Sequence, residues 1–282
     1  MYRGNMNNKI NKQNAVDLFV QNLKEHRKKT TENKPISKRE YKKEKLIEIT
    51  GLTKEYKVKK TKFFAVNNID FDIYKGQNIA LLGGNGAGKT TTVEMLVGIL
   101  KSTKGNIKYN FSNAHNQKKS NTSKIGIQFQ DSSYPQGLTV KDVIKSVNKI
   151  YGNITTEHEM NQLAYIFGVD EFIANKAASL SGGQHQRLNA LLAIINKPEL
   201  LILDELSTGL DIKIKSRLVH FLKDFIKDTN CTLLLVSHDI NEIETLADRI
   251  VILDHGQIVY DKTKNESIKL YGSVSSCLEH FI

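Results

Sequence analysis

The sequence predicts an α/β fold, a mixed sheet with an antiparallel β-subdomain and an inserted α-helical subdomain, on three observations. Gln77 to Leu82, Leu200 to Leu203 and Thr232 to Ser237 are continuous apolar runs between polar or turn residues, as in parallel strands buried on both faces. Helical patterns alternate with the strand segments, notably Thr91 to Leu100, most of Gln136 to Ala178, and Arg187 to Ile195. Leu46 to Thr53 and Ala65 to Ile73 alternate apolar with polar residues, as half-buried antiparallel strands do, and Lys75-Gly76 marks a turn after them.

Taken in order, the chain opens with a basic leader, residues 1–45. It carries thirteen Lys or Arg against five Asp or Glu, so +8 of the formal net charge of +11 lies there. Val16, Phe19, Val20 and Leu23 stand at helical spacing with Asn14 able to cap them, and KEHRKK follows. That pattern allows a basic amphipathic helix touching anionic lipid or a partner; the plainer reading is a solvated leader. A body from 46 to 262 comes next, with the helical subdomain at about 131–180 and an exposed loop expected at Asn110 to Ser123. A hairpin, Arg249 to Leu253 and Gln257 to Tyr260 around Asp254-His255-Gly256, closes the body. Residues 263–282 read as a short C-terminal tail. No apolar stretch approaches the roughly 20 residues of a spanning helix. With no leader of secretory type and two distant cysteines, Cys231 and Cys277, the expectation is a cytoplasmic protein with free thiols.

The most informative stretch is Gly83-Gly84-Asn85-Gly86-Ala87-Gly88-Lys89-Thr90-Thr91. Gly83, Gly88, Lys89 and Thr90 match G-x-x-x-x-G-K-[ST], after a buried strand and before a helix, which is the context the motif requires. Its glycines let backbone N–H groups turn inward around phosphates, and the helix start adds its positive end. Lys89 then neutralises the β and γ oxygens, and the Thr90 hydroxyl ligates Mg²⁺. A second half of such a site is an acid at the end of a buried strand, and Asp204-Glu205 after Leu203 supplies two. Asp204 would hold Mg²⁺ through water, while Glu205 could accept a proton from the attacking water.

Leu180-Ser181-Gly182-Gly183-Gln184, just before a helical pattern, resembles the signature of ATP-binding cassette (ABC) proteins. The likeness spans Leu46 to about Lys262. Other motifs stand in the family's order: Tyr56 where an aromatic stacks on adenine, Gln130 in a Q-loop, Ser207 to Asp211 as a D-loop, and His238 as an H-loop. The resemblance implies that Gln130 senses Mg²⁺ and the attacking water and that His238 contacts the γ-phosphate. It also implies two cassettes packed head to tail, a homodimer or a related heterodimer, each ATP gripped by Lys89 of one and by Ser181, Gly182, Gly183 and Gln184 of the other. Gly84 and Leu206 depart from the family, which often has Pro at both positions.

The resemblance further implies an ATPase subunit serving a separate membrane-spanning permease at the cytoplasmic face of the membrane. Stretches such as GAGKTTTVEMLVGIL look like the stand-alone drug, antibiotic or lipid exporter branch. An importer-type cassette and a soluble ABC ATPase on ribosomes or nucleic acid are the alternatives. Nucleic acid fits less well, because no long coiled coil lies between Lys89 and Leu180.

Overall fold

The computed structural model describes residues 44–58, 61–112, 121–128, 133–206 and 210–281, together with Leu18, Phe19 and Gln21. Its larger sheet has six strands in the order β5-β6-β7-β3-β8-β9: β3 (Ile79–Leu82), β5 (Ile125–Gln128), β6 (Leu200–Asp204), β7 (Thr232–Val236), β8 (Arg249–Asp254) and β9 (Gln257–Thr263). The first five run parallel and β9 pairs antiparallel with β8. Every residue of β3, β6 and β7 is buried, which is why these strands read as unbroken apolar runs. Their period of two still operates. Leu201, Leu203, Leu233 and Leu235 enter one apolar cluster, while Leu200, Ile202, Leu234 and Val236 enter another on the opposite face.

The smaller sheet is antiparallel, in the order β2-β1-β4: β1 (Lys45–Val58), β2 (Thr61–Tyr74) and β4 (Lys104–Tyr109). The expected strands within β1 and β2 are present but longer, because the hairpin continues past its half-buried part into an exposed end. Neither β4 nor β5 was visible as a strand in the sequence. β4 is a mostly exposed edge, and β5 has only two aliphatic side chains and a glycine in four residues.

Helix α1 (Lys89–Leu96) follows β3. It starts earlier and stops sooner than its periodicity suggests, since Val97 and Gly98 turn away. Between β5 and β6 lie α2 (Val140–Ile150), α3 (Glu157–Ile166) and α4 (Gly182–Ile194). Reciprocal capping boxes, Thr139 with Asp142 and Thr156 with Glu159, open α2 and α3. Helix α4 begins five residues before the expected Arg187, because Ser181 and Gln184 form the same device. Beyond β6 come α5 (Ile212–Thr229), α6 (Ile240–Leu246), α7 (Lys264–Tyr271) and α8 (Val274–Phe281).

Three segments differ from their plain reading. Phe19 is fully buried, with its ring 6.5 Å from those of Phe221 and Phe225 on α5. One member of the leader's apolar stripe therefore packs on the body; Val16, Val20 and Leu23 lie outside the described residues. The stretch expected as a loop is pinned at its start: Phe111 is buried, and the Ser112 N–H donates to Glu199 at 3.0 Å. Finally, the tail forms α7 and α8, and Val274 and Cys277 pack against Ala80 and Ile250. Both cysteines are buried, and neither is joined in a disulfide.

Candidate nucleotide-binding site

β3 delivers the chain into the glycine loop at the carboxyl end of the parallel sheet. Gly83 has φ 146° and Gly88 φ 105°. A Cβ on Gly83 would collide with the Leu253 carbonyl of β8, and one on Gly88 with the Ala65 carbonyl of β2. The loop is thus threaded between two backbones that only glycine clears. Gly84 differs: nothing lies within 4 Å of the place a Cβ would occupy, so its departure from the family pattern carries no steric constraint. Ala87 is buried, whereas Asn85, Gly86 and Thr90 are exposed and Thr91 is half-buried.

Helix α1 starts at Lys89 with Gly88 as its N-cap and no side-chain cap. Its first N–H groups and the positive end of its dipole face the loop, an arrangement suited to phosphate. Lys89 Nζ donates to the Gly83 and Gly84 carbonyls at 2.6 and 3.0 Å, which holds the ammonium over the loop.

Asp204 closes β6 and is only 5% exposed. Burial, with the Glu205 charge adding to it, pushes its carboxyl up to about 6, while Lys89 opposes the rise. Burial in turn pulls the Lys89 ammonium below its usual value, and Asp204 and Glu205 oppose that fall. The fold has brought together an ammonium and two carboxylates that are far apart in sequence. Glu205 itself has φ 52°, a left-handed turn uncommon outside glycine, and its N–H donates to the Val236 carbonyl at 2.8 Å. A buried carboxylate destabilised by a second acid, next to the hydroxyl-bearing start of α1, suits a hard divalent cation that keeps most of its ligands as water and phosphate oxygens.

His238 follows β7 and is exposed. Its two neighbours are fixed by residues the sequence analysis missed. Ser237 Oγ donates to the fully buried Glu242 at 2.6 Å, and the Asp239 N–H donates back to Ser237 Oγ at 3.0 Å. Asp239 caps α6 by accepting from the Glu242 N–H at 3.1 Å, and it pairs with Lys215 of α5. The Asp-x-x-Glu spacing at the start of α6 was the available signal.

Ser181 accepts from the Gln184 N–H at 3.4 Å, and Gln184 Oε1 accepts from the Ser181 N–H at 3.0 Å. Ser181 and Gly182 are exposed, with Gly183 and Gln184 half-buried beside them. Among the described residues no hydrogen bond or ion pair joins this turn to the glycine loop. Tyr56 is 38% exposed and lies directly across from Phe63 in the β1–β2 ladder, with Lys54 Nζ 5.1 Å from its ring centre. Phe63, also exposed, is a second aromatic there that only the strand register reveals. Asp211 accepts from the Ile214 N–H at 3.0 Å and so caps α5. Leu206 is buried in the apolar cluster that also takes Leu201 and Leu203 of β6. Gln130, Ser207, Thr208 and Gly209 lie outside the described residues.

Comparison with known proteins accords with this geometry. The family described as ABC transporter matches residues 66–208. The chain is 31% identical over 228 residues to the oligopeptide transport ATP-binding protein OppF of Bacillus subtilis, covering 77% of this chain and 75% of that one. It is 34% identical over 217 residues to the bacitracin transport ATP-binding protein BcrA of Bacillus licheniformis, covering 76% and 68%. With the linearmycin resistance ATP-binding protein LnrL of B. subtilis it shares 33% over 204 residues, 71% and 65% of the two chains. Among solved structures, a dimeric ATP-binding cassette in a post-hydrolysis state with ADP and Pi superposes with TM-score 0.67 at 24% identity, covering 77% of this chain and 98% of that one. An ATP-binding subunit of an ABC transporter superposes with TM-score 0.72 at 22% identity, covering 84% and 99%. These two likenesses concern the fold.

Proposed function

This chain belongs to the ABC transporter family, as an ATP-binding and ATP-hydrolysing subunit, and from that premise we propose that two cassettes close head to tail over ATP to drive a separate membrane-spanning subunit. The observation that carries the reading is the convergence of Lys89, Asp204 and Glu205 at the uncapped start of α1, while Ser181 stands exposed on another helix start. One chain then supplies half of each of two sites.

In this reading the loop N–H groups and Lys89 hold the β- and γ-phosphates, and Tyr56 stacks on adenine. Ser181, with the start of α4, meets the γ-phosphate bound by the other cassette. Glu205 orients the attacking water and takes its proton, and His238 contacts the γ-phosphate. Thr90 and Asp204, with Gln130, are the groups that would hold Mg²⁺, whose chemistry when bound is to offset charge on the phosphate oxygens.

Export is the direction we infer, supported by the antibiotic-resistance and bacitracin-transport relatives. The oligopeptide-transport relative favours a second reading as an import-type cassette. Among the described residues no helix is long and apolar enough to cross a membrane, so peripheral attachment at the cytoplasmic face would come through the permease. The basic leader would add attraction to anionic headgroups, with Phe19 kept in the protein body rather than inserted in lipid. The test is light scattering of the Glu205→Gln protein with and without Mg-ATP. A dimer that forms only with Mg-ATP and is lost on Ser181→Arg supports the head-to-tail reading; a monomer under both conditions overturns it for identical copies.

A further inference from the structure

The His238 side chain is exposed, but the backbone that carries it is held at both neighbours. Ser237 is only 4% exposed, and its hydroxyl works in two directions. It donates to Glu242 at 2.6 Å and accepts from the Asp239 N–H at 3.0 Å. A serine hydroxyl that accepts from the N–H two residues on closes a small side-chain turn, and His238 is the central residue of this one. The carboxylate behind the hydroxyl, Glu242, is fully buried. Its second oxygen, Oε1, has no hydrogen-bond partner among the described residues, so Glu242 holds the hydroxyl at a desolvation cost that an apolar residue on α6 would not incur. On the far side of His238, Asp239 accepts from the Glu242 N–H through Oδ1 at 3.1 Å and from Lys215 of α5 through Oδ2. On the near side, the Glu205 N–H fastens the end of β7 at Val236.

We propose that Ser237 and Glu242 are positioning residues for His238, with Lys215 securing the same turn from α5. By fixing the backbone on both sides they leave the imidazole only its own side-chain torsions with which to reach the γ-phosphate. The inference rests on the assignment of His238 to that phosphate made above. None of the three residues touches nucleotide in this reading; each acts through the turn. Such support matters because a group on an exposed turn is otherwise free to wander, and a misplacement of 1 Å costs a reaction about 10²-fold.

The test is ATP turnover and equilibrium nucleotide titration of the full chain carrying Ser237→Ala, Ser237→Thr, Glu242→Leu or Lys215→Met, each alone and together with His238→Ala. Ser237→Ala should lower kcat by about 10-fold to 10²-fold while nucleotide Kd stays within about 2-fold. Ser237→Thr keeps the hydroxyl and should recover most of that loss. Glu242→Leu should match Ser237→Ala, and Lys215→Met should cost less, since a half-exposed ion pair is weak. With His238→Ala present, none of them should lower kcat more than about 2-fold further, because all act through that one side chain. An unchanged kcat in Ser237→Ala, no recovery in Ser237→Thr, or losses that persist in full beside His238→Ala would each overturn the proposal. If Glu242→Leu does not fold, the serine variants decide it. If His238→Ala itself turns over ATP like wild type, the γ-phosphate assignment fails and positioning is read from the His238 ring-proton signal in NMR, identified by its loss in His238→Ala. That signal shifts or broadens in Ser237→Ala if the turn positions the ring; an unchanged signal overturns the proposal.

Discussion

The backbone N–H of Glu205 donates to the carbonyl of Val236 at 2.8 Å, one step beyond the pairing of Asp204 with Val236. This bond carries the β6–β7 ladder past its last strand residue, so the acid pair and the Ser237-His238-Asp239 turn leave the sheet side by side. With φ 52°, Glu205 departs from the strand direction at that point. Replacing its carboxylate by an amide preserves the shape of the turn. Glu205→Gln should therefore keep nucleotide binding and melting temperature while ATP turnover falls by about 10²–10⁴-fold, the usual contribution of a general base. Phosphate release against fluorescent-nucleotide titration checks it, and turnover within 3-fold of wild type would remove Glu205 from that role.

Lys89 is held over the glycine loop by two carbonyls of that loop, so its loss leaves the backbone cradle and removes the charge. Lys89→Ala should weaken ATP binding at least 10-fold, a larger effect on affinity than Glu205→Gln has. Equilibrium nucleotide titration of both variants distinguishes the two residues.

The pH dependence of Asp204 has a definite sign. Its folded-state value of about 6 lies above the ordinary 3.8, so the folded protein binds this proton more readily than the unfolded chain does. This group's contribution to stability is fully present below about pH 4 and is lost as pH rises through 6. Asp204→Asn should accordingly raise the melting temperature at pH 7.5, with the gain vanishing toward pH 4. Because a metal ligand must be deprotonated, the Mg²⁺ concentration needed for half-maximal turnover should rise as pH falls from 7.5 to 5.5. Calorimetry of the variant and Mg²⁺ titrations of the wild type at those pH values test both statements; a lower melting temperature for Asp204→Asn at pH 7.5 would contradict the first.

The two glycines that open the loop should behave differently. Gly83→Ala meets a carbonyl and a strained φ, whereas Gly84→Ala meets open space. Nucleotide affinity should drop sharply for the first and change less than about 2-fold for the second, an effect within the range of a surface substitution.

Phe19 fills an aromatic seat with Phe221 and Phe225 of α5, and Phe221 in turn meets Phe167 edge-on at 5.4 Å. Phe19→Ala should cost about 3 kcal/mol, as for other buried phenylalanines. The melting temperature should fall by roughly 6–12 °C for a chain of this size. A midpoint within 2 °C of wild type would mean that the ring is not seated in solution.

Much of this molecule was legible in residue order alone. The buried strands, the glycine loop, Asp204-Glu205 and the signature all announce themselves because each depends on chain-local chemistry: an apolar run, a backbone turn that admits only glycine, a hydroxyl able to cap a helix. β4 and β5 were not legible, since one is a polar edge strand and the other holds a glycine demanded by the Ala193 carbonyl of a helix far along the chain. The same holds for the pairing of Asp239, beside His238, with Lys215 of α5.

By itself the sequence determined the residue types of the candidate site and the alternation of strands and helices, because the spacing of apolar and special residues encodes local backbone geometry. Only the tertiary structure decided which of them meet. The Lys89 ammonium lowers the energy of a charged Asp204 from across the sheet, Phe19 finds its seat on α5, and Gln128 pairs with Gln186 from 58 residues away. Such contacts follow from the strand order and from close packing between distant segments, and no local pattern carries that information.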